Sequence, residues 1–278
     1  MFEIFNTLFT NPIVNLLVGL YQLLAGIGVP YAFGFAIIIL TVIIRLILYP
    51  FTAAQIKSAF QMQKIAPLMK NVRERHKDDK KKQQEELMRI YREHKINPAA
   101  GCLPLLIQMP IIFGLYQVLI KAVAIDSNDS LSKINSVLYL DFLKLSSVWD
   151  TMFFGIPLSD APSKIWASAP YLILIPVLTG ALQFVLSKMM IPQEAIEVQE
   201  KIAQKTEGKA DDFQAAFQKQ SLFIFPVMIG FFAFTLPVGL SVYWNTFTVF
   251  GILQQYLLVG SGGAAPWFKK FNLHGGKK

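Results

Sequence analysis

The run at 33–50, FGFAIIILTVIIRLILYP, constrains this chain more than any other stretch. Seventeen of its eighteen residues are uncharged and most are apolar, close to the ~20 residues a helix needs to cross a bilayer. The exception is Arg45. A guanidinium inside such a helix costs at least ~2.5–3.5 kcal/mol on insertion scales, so it needs a structural reason or a task. What receives its five donors is therefore the first question the sequence poses.

Composition puts the run in a polytopic membrane protein. Charged residues make up 16% of the 278, against ~25% in globular chains, and the mean hydropathy is +0.45. An all-α fold with five spans is expected, at about 31–55, 103–124, 169–187, 221–236 and 240–258. The fourth has only 16 residues, or ~24 Å of helix, and Pro237-Val238-Gly239 turns it into the fifth. Ahead of the first span, apolar residues between Ile4 and Leu24 recur at helical spacing, with Asn6, Asn11, Asn15 and Gln22 on other faces. Residues 1–30 are read as an interfacial amphipathic helix, a sixth span being the alternative. They hold no Lys or Arg, so the basic start of a cleavable signal peptide is missing.

Between the first two spans, 57–101 carries twelve Lys/Arg against six Asp/Glu around the centre His76-Lys77-Asp78-Asp79-Lys80-Lys81-Lys82. Ile65, Leu68, Met69 and Val72 on one side, and Leu87, Met88, Ile90 and Tyr91 on the other, predict a helical hairpin outside the bilayer that Asn97-Pro98 ends. Its charges read either as a solvated face or as a docking surface for anionic headgroups, a targeting receptor or a ribosome. Residues 125–168 are mixed and loop-like, 188–220 are polar, and 259–278 form a short basic tail.

Basic residues orient these segments. Residues 1–30 have none, 57–101 twelve, 126–167 three, 188–220 five, 237–239 none and 259–278 four. That alternation fits five spans with the N-terminus outside and the C-terminus in the cytosol, and puts 21 of the 26 basic residues in the cytosol.

No Asp or Glu falls within the five spans. Proton- and sodium-coupled transporters usually carry an intramembrane acid, and P-loop pumps need a GxxxxGK[ST] run that this sequence does not have. The single Cys102 excludes an internal disulfide, a Cys-based zinc site and an iron–sulfur cluster, while His76, His94 and His274 stand alone. No cofactor, metal or catalytic residue is expected, and the chain does not read as an enzyme. Arg45 has no carboxylate to meet in the bilayer, so water, hydroxyls, amides or backbone carbonyls must receive it.

Neutral polar residues do form stripes. Thr41, Arg45, Tyr49 and Thr52 share a face of the first span, where Pro50 is expected to kink the helix and free the carbonyl of Leu46. Thr179, Gln183 and Ser187 share a face of the third span; Ser241, Asn245, Thr248 and Gln255, with Trp244 beside them, share one of the fifth. On the topology above, Arg45, Gln108 and Gln183 all lie in the cytosolic half. Such residues serve as helix glue and an arginine can snorkel to the inner surface; the other reading is a water-filled cavity open to the cytosol, with Arg45 as its one fixed charge.

The ordered motifs resemble the YidC/Oxa/Alb family of membrane protein insertases over residues 20–258. They are the Arg45 span with YPFT at 49–52, the charged hairpin, NPAAGCLPLLIQMPIIFGLY at 97–116, PYLILIPVLTGALQF at 170–184 and FPVMIGFFAFTLPVGLSVYWNTFTV at 225–249. The resemblance implies a cytosol-open hydrophilic groove, with Thr41, Arg45 and Gln183 at its polar positions and Tyr243 and Trp244 as substrate-facing aromatics; Gln108 and Asn245 join them by position. It further implies a multi-pass protein of the bacterial cytoplasmic membrane, acting without nucleotide. Nascent membrane proteins and the bilayer are the expected partners, then the Sec translocon and a ribosome or targeting receptor, with no direct nucleic-acid binding. The chain is expected to be a short form, without the large extracytoplasmic domain of Gram-negative members or the long basic tail of mitochondrial ones. A channel or facilitator for a small anionic solute is the alternative; it needs a continuous polar path, for which the outer halves of the spans offer little.

Overall fold

The computed structural model describes residues 2–94, 109–110, 112–114, 116–117, 128–147, 149–190 and 211–267. Gln108, Cys102 and most of the expected second span at 103–124 lie outside the described residues, as do the middle of 188–220 and the end of the basic tail. The chain divides into two compact units: Met1–Leu48, Leu105–Gln183 and Pro226–Phe250 in the first, and Tyr49–Pro104, Phe184–Phe225 and Gly251–Lys278 in the second.

In the first unit, α1 (Phe2–Phe5) leads through a wide π turn at Asn6–Thr10 into α2 (Asn11–Gly26). Pro12 comes just after the π turn, and the widened turn accommodates a residue without an N–H inside the helical stretch. Tyr31, in the left-handed region at φ 58°, starts α3 (Ala32–Ile47). Helices α2 and α3 pack along Ile13, Val14, Leu17 and Val18 on one side and Phe33, Ala36, Ile37 and Leu40 on the other, all buried. The expected first span at 31–55 is not one continuous helix. It breaks at Leu48, and α4 (Tyr49–Lys64) starts afresh. Pro50 accounts for the break: it lacks a donor, and its ring clashes with the carbonyl four residues earlier.

The segment that composition reads as a loop is folded. It holds α7 (Asn128–Asn135), a single 3₁₀ turn at Asp141–Leu143, the two-residue antiparallel strands β1 (Met152–Phe153) and β2 (Ile156–Pro157), and α8 (Pro162–Ile165). Ile134, Leu143, Leu145, Trp149 and Leu158 from this segment are buried in the same core as α2 and α3. The Trp149 ring lies 4.9 Å from that of Phe33 and 5.5 Å from that of Tyr21. Gly34 is required here, since a Cβ on it would overlap the Phe153 ring. Polar ties complete the seam. Asn15 Nδ2 donates to Val137 O (2.9 Å), Asn15 Oδ1 accepts from Tyr139 N (2.6 Å), and Gln22 Nε2 donates to Leu143 O (2.9 Å).

Three further helices follow: α9 (Leu174–Met189), preceded by a 3₁₀ turn at Pro170–Ile173, α10 (Asp211–Thr235) and α11 (Val238–Val259). Helix α10 starts ten residues before the apolar stretch expected at 221–236, because charged residues end a span without ending a helix. Within the first unit α9 and α10 meet at a repeated Pro-Val-x-x-Gly element, Pro176–Gly180 and Pro226–Gly230. A Cβ on Gly180 would stand 3.2 Å from the Pro226 carbonyl oxygen, and one on Gly230 would stand 3.2 Å from that of Pro176. This reciprocal backbone contact is the small-residue packing by which helices approach closely in lipid. At the head of α11, Val238 N and Gly239 N donate to Asp160 O and Leu158 O, each at 2.9 Å.

In the second unit, α5 (Ala66–Arg75) and α6 (Lys80–Glu93) form a hairpin closed by Ile65, Val72 and Ile90, with Met62, Met69, Leu87 and Tyr91 packed around them. Asp79 caps α6 by accepting from Lys82 N at 3.0 Å. Elsewhere in this unit Gln254 and Gln255 of α11 are buried: Gln254 Nε2 donates to Thr52 Oγ1 (2.7 Å) and Gln255 Nε2 to Met189 O (3.2 Å).

Among the described residues, two helical stretches are long and apolar enough to cross a membrane, Glu3–Gly26 and Pro170–Met189; a third qualifies if α3 and α4 count as one broken span. Leu222–Thr235 is apolar but short, and α11, long enough, carries Ser241, Asn245, Gln254 and Gln255.

Candidate functional site

Arg45 lies in the last turn of α3 and is only 6% exposed. Its Nη2 donates to Phe247 O at 2.6 Å, so a helix carbonyl of α11 takes a second hydrogen bond. The guanidinium carbon stands 3.4 Å from the centroid of the Phe247 ring and 5.6 Å from that of Phe250. Stacking of this kind contributes ~0.5–2 kcal/mol, rising as water is excluded. It offsets part of the desolvation of the charge and leaves donors over: among the described residues Arg45 Nε has no partner.

Ser241, Asn245 and Thr248 of the α11 polar stripe lie in the same unit. Ser241 and Thr248 are each 1% exposed, and both Ser241 Oγ and Asn245 Oδ1 are buried without a partner among the described residues. Buried polar atoms are normally satisfied. A cluster of them left open suits water or a polar segment that comes and goes.

The other expected site residues fall in different settings. Thr41 is fully buried and its Oγ1 donates to Ile37 O at 2.7 Å, so its proton is spent on its own helix. Tyr243 is 2% exposed, with its ring 5.9 Å from that of Phe247, which makes it part of the packing beneath Arg45. Trp244 is half-buried against the same core. Gln183 is half-buried on α9. Among the described residues the hydrogen bond and ring contacts of Arg45 go to Phe247 and Phe250, and none goes to Thr41, Gln183, Trp244 or Asn245. The carbonyl acceptor belongs to the set that sequence reasoning left open. Phe247 and Phe250 escaped it, although Tyr243, Phe247 and Phe250 share a face at helical spacing. Gln254 escaped too, because it lies off the stripe that contains Gln255.

Comparisons with known proteins agree with one another. The family model for the 60Kd inner membrane protein matches residues 23–261. The chain is 33% identical over 269 residues to the chloroplastic inner membrane protein ALBINO3 of Arabidopsis thaliana, covering 87% of this chain and 50% of that one. It is 32% identical over 253 residues to the membrane protein insertase YidC of Nitratidesulfovibrio vulgaris (strain DSM 19637 / Miyazaki F), covering 91% and 38%. The chain thus spans half or less of those two relatives. Against the membrane protein insertase YidC of Fusobacterium nucleatum subsp. nucleatum it is 30% identical over 230 residues, covering 83% and 87%. Its fold matches the crystal structure of an active YidC insertase with the first transmembrane domain resolved, at a TM-score of 0.50 and 27% identity, over 87% of this chain and 45% of that one. Matched along most of its length by the family model, the chain belongs to the 60Kd inner membrane protein family, that of the YidC/Oxa/Alb insertases.

Proposed function

We propose that this chain is a membrane protein insertase, and that it passes polar segments of nascent membrane proteins through a hydrophilic groove open to the cytosol in which Arg45 is the fixed charge. The observation that carries the reading is a 94% buried arginine that, among the described residues, is held by one carbonyl and two rings, beside a helix whose Ser241 and Asn245 oxygens find no partner among those residues. A wet cavity reaching part of the way into the bilayer shortens the apolar barrier. The guanidinium then attracts an acidic residue of the crossing segment more strongly than it would in bulk water. The following apolar helix of the substrate moves into lipid, and that transfer drives the step without nucleotide.

The topology that goes with this reading has five spans, the N-terminus outside and the α5–α6 hairpin and basic tail in the cytosol, as the Lys/Arg pattern asks. Asn15 and Gln22 support an in-plane α2. They are seven residues apart, or ~10 Å of helix, and both bond to the segment between Val137 and Leu143. With that segment outside the membrane, α2 runs along the outer interface instead of through it. The partners in this reading are nascent membrane proteins in the bacterial cytoplasmic membrane, with the Sec translocon and a ribosome or targeting receptor on the cytosolic side.

The test is insertion of a single-span substrate into proteoliposomes containing only this protein. Arg45→Ala is expected to lower insertion of a substrate with an acidic translocated tail about tenfold, or ~1.4 kcal/mol, and to spare a neutral-tailed one. Equal insertion of both by the variant, or flux of small anions through the wild type, would overturn the reading.

A further inference from the structure

Arginine is a poor fixed charge by itself. Its side chain is long and flexible, and at a span's inner half the nearest water lies along the helix, so an untethered guanidinium turns toward it. In this structure it does not turn. Phe247 holds it at two points from the neighbouring helix: the backbone carbonyl takes Nη2 at 2.6 Å, and the ring covers one guanidinium face at 3.4 Å. Phe250, one turn further along α11, stands at 5.6 Å. The hydrogen bond and both ring contacts that the described residues give the guanidinium thus come from one helix, and Nε is buried with no partner among those residues. A guanidinium held in this way is a planar set of N–H donors, the geometry that suits a carboxylate.

We propose that Phe247 is a positioning residue, whose ring fixes the Arg45 guanidinium in place for the carboxylates of a translocating segment. The ring sets the selectivity of the site for acidic segments while touching no substrate itself. This rests on the insertase reading of Arg45. A residue in the middle of an apolar span would otherwise count as packing, and packing alone makes a different prediction: its loss would harm all substrates alike.

The experiment compares two single-span substrates in proteoliposomes, identical except that two Asp residues in the translocated tail of one are Asn in the other. The readout is the ratio of acidic to neutral insertion. Phe247→Leu and the unbranched, more adaptable Phe247→Met are expected to lower that ratio three- to tenfold with neutral insertion unchanged, and Phe247→Trp to keep it within twofold, because indole offers the stronger cation-binding face. Arg45→Gln is expected to abolish the preference, and adding Phe247→Met to it is expected to change nothing further, as coupled residues require. A normal ratio in both Phe247→Leu and Phe247→Met while Arg45→Gln loses it overturns the role of the ring and leaves that of Arg45 standing. Equal loss of both substrates in Phe247→Met, or additive loss in the double variant, also overturns it. A normal ratio in Arg45→Gln overturns the insertase reading of the arginine itself.

Discussion

Two polar sites in the first unit are buried to nearly the same degree and built in opposite ways. Asn15, 8% exposed, is saturated: its amide nitrogen donates to Asn11 O and Val137 O, and its amide oxygen accepts from Tyr139 N. Among the described residues Arg45, 6% exposed, has one carbonyl partner, and Nε, Ser241 Oγ and Asn245 Oδ1 in the same unit find none. Satisfied buried groups fix a fold, whereas open ones are costly to it and persist where something else is to be bound. Asn15 is thus a structural clasp between α2 and the segment after α7, and on the proposed function the Arg45–α11 region is where polar cargo would find partners.

The sharpest way to break this contrast is at the saturated site. Asn15→Leu strips three hydrogen bonds and leaves Tyr139 N and Val137 O to lose their partner, an expected destabilisation of about 3 kcal/mol. Chemical denaturation of the reconstituted protein measures it. The ratio of acidic to neutral insertion is expected to stay at the wild-type value. A shift in that ratio would mean that the clasp and the groove are one system.

At the open site the expectation reverses. Arg45→Met replaces an incompletely paired buried charge with an apolar chain of similar length, a change that is often neutral or stabilising. Stability by the same denaturation is expected to hold or rise by about 1 kcal/mol, while acidic-tail insertion is lost. A loss of stability as large as that of Asn15→Leu would make Arg45 a structural residue. Asn245→Leu is the milder version. It removes an oxygen with no partner among the described residues and is expected to move stability by less than about 1 kcal/mol, with a drop of about twofold in insertion of both substrates, as a less polar form of the proposed groove implies.

The two sites also differ in how much the sequence discloses. The membrane character and the family follow from apolar runs and ordered motifs. That a neutral group must receive Arg45 follows from the absence of Asp and Glu in the spans. The hairpin core shows as period: of the residues spaced for it, Ile65, Val72 and Ile90 are buried, though Leu68 and Met88 point outward. Pro50 announces the break at Leu48. The Asn15 clasp leaves no such trace, because its partners lie more than 120 residues away and a pairing of that range has no local period. The folding of 128–168 stays hidden for the same reason: its short helices and two-residue strands exist because Trp149, Leu158 and Leu143 find a core built by distant helices. Phe247 was legible as a residue and not as a role, since a phenylalanine in an apolar span is ordinarily packing, and only the guanidinium on its face says otherwise.

The smallest effect separates burial from charge as the source of the contrast. Asp141 and Lys144, also in the segment after α7, form an ion pair at 2.6 Å on the surface. The hydrogen bond from Lys144, with its charge, holds the Asp141 carboxyl below the usual carboxylate range. A depressed folded-state pKa contributes stability that is present above the unfolded value near ~3.9 and is lost as pH falls through the folded value. This pair therefore contributes nothing pH-dependent between pH 8 and 5, and its contribution disappears only below about pH 4. Because the carboxylate is fully exposed, solvent screens the pair, and Asp141→Asn at pH 7 is expected to move the thermal midpoint by less than about 1 °C. A neutral amide buried at Asn15 would then outweigh a short, charged pair at the surface in the same segment. If Asp141→Asn instead costs as much as Asn15→Leu, charge and not burial ranks the polar contacts of this protein, and the open donors at Arg45 lose their standing as its most consequential feature.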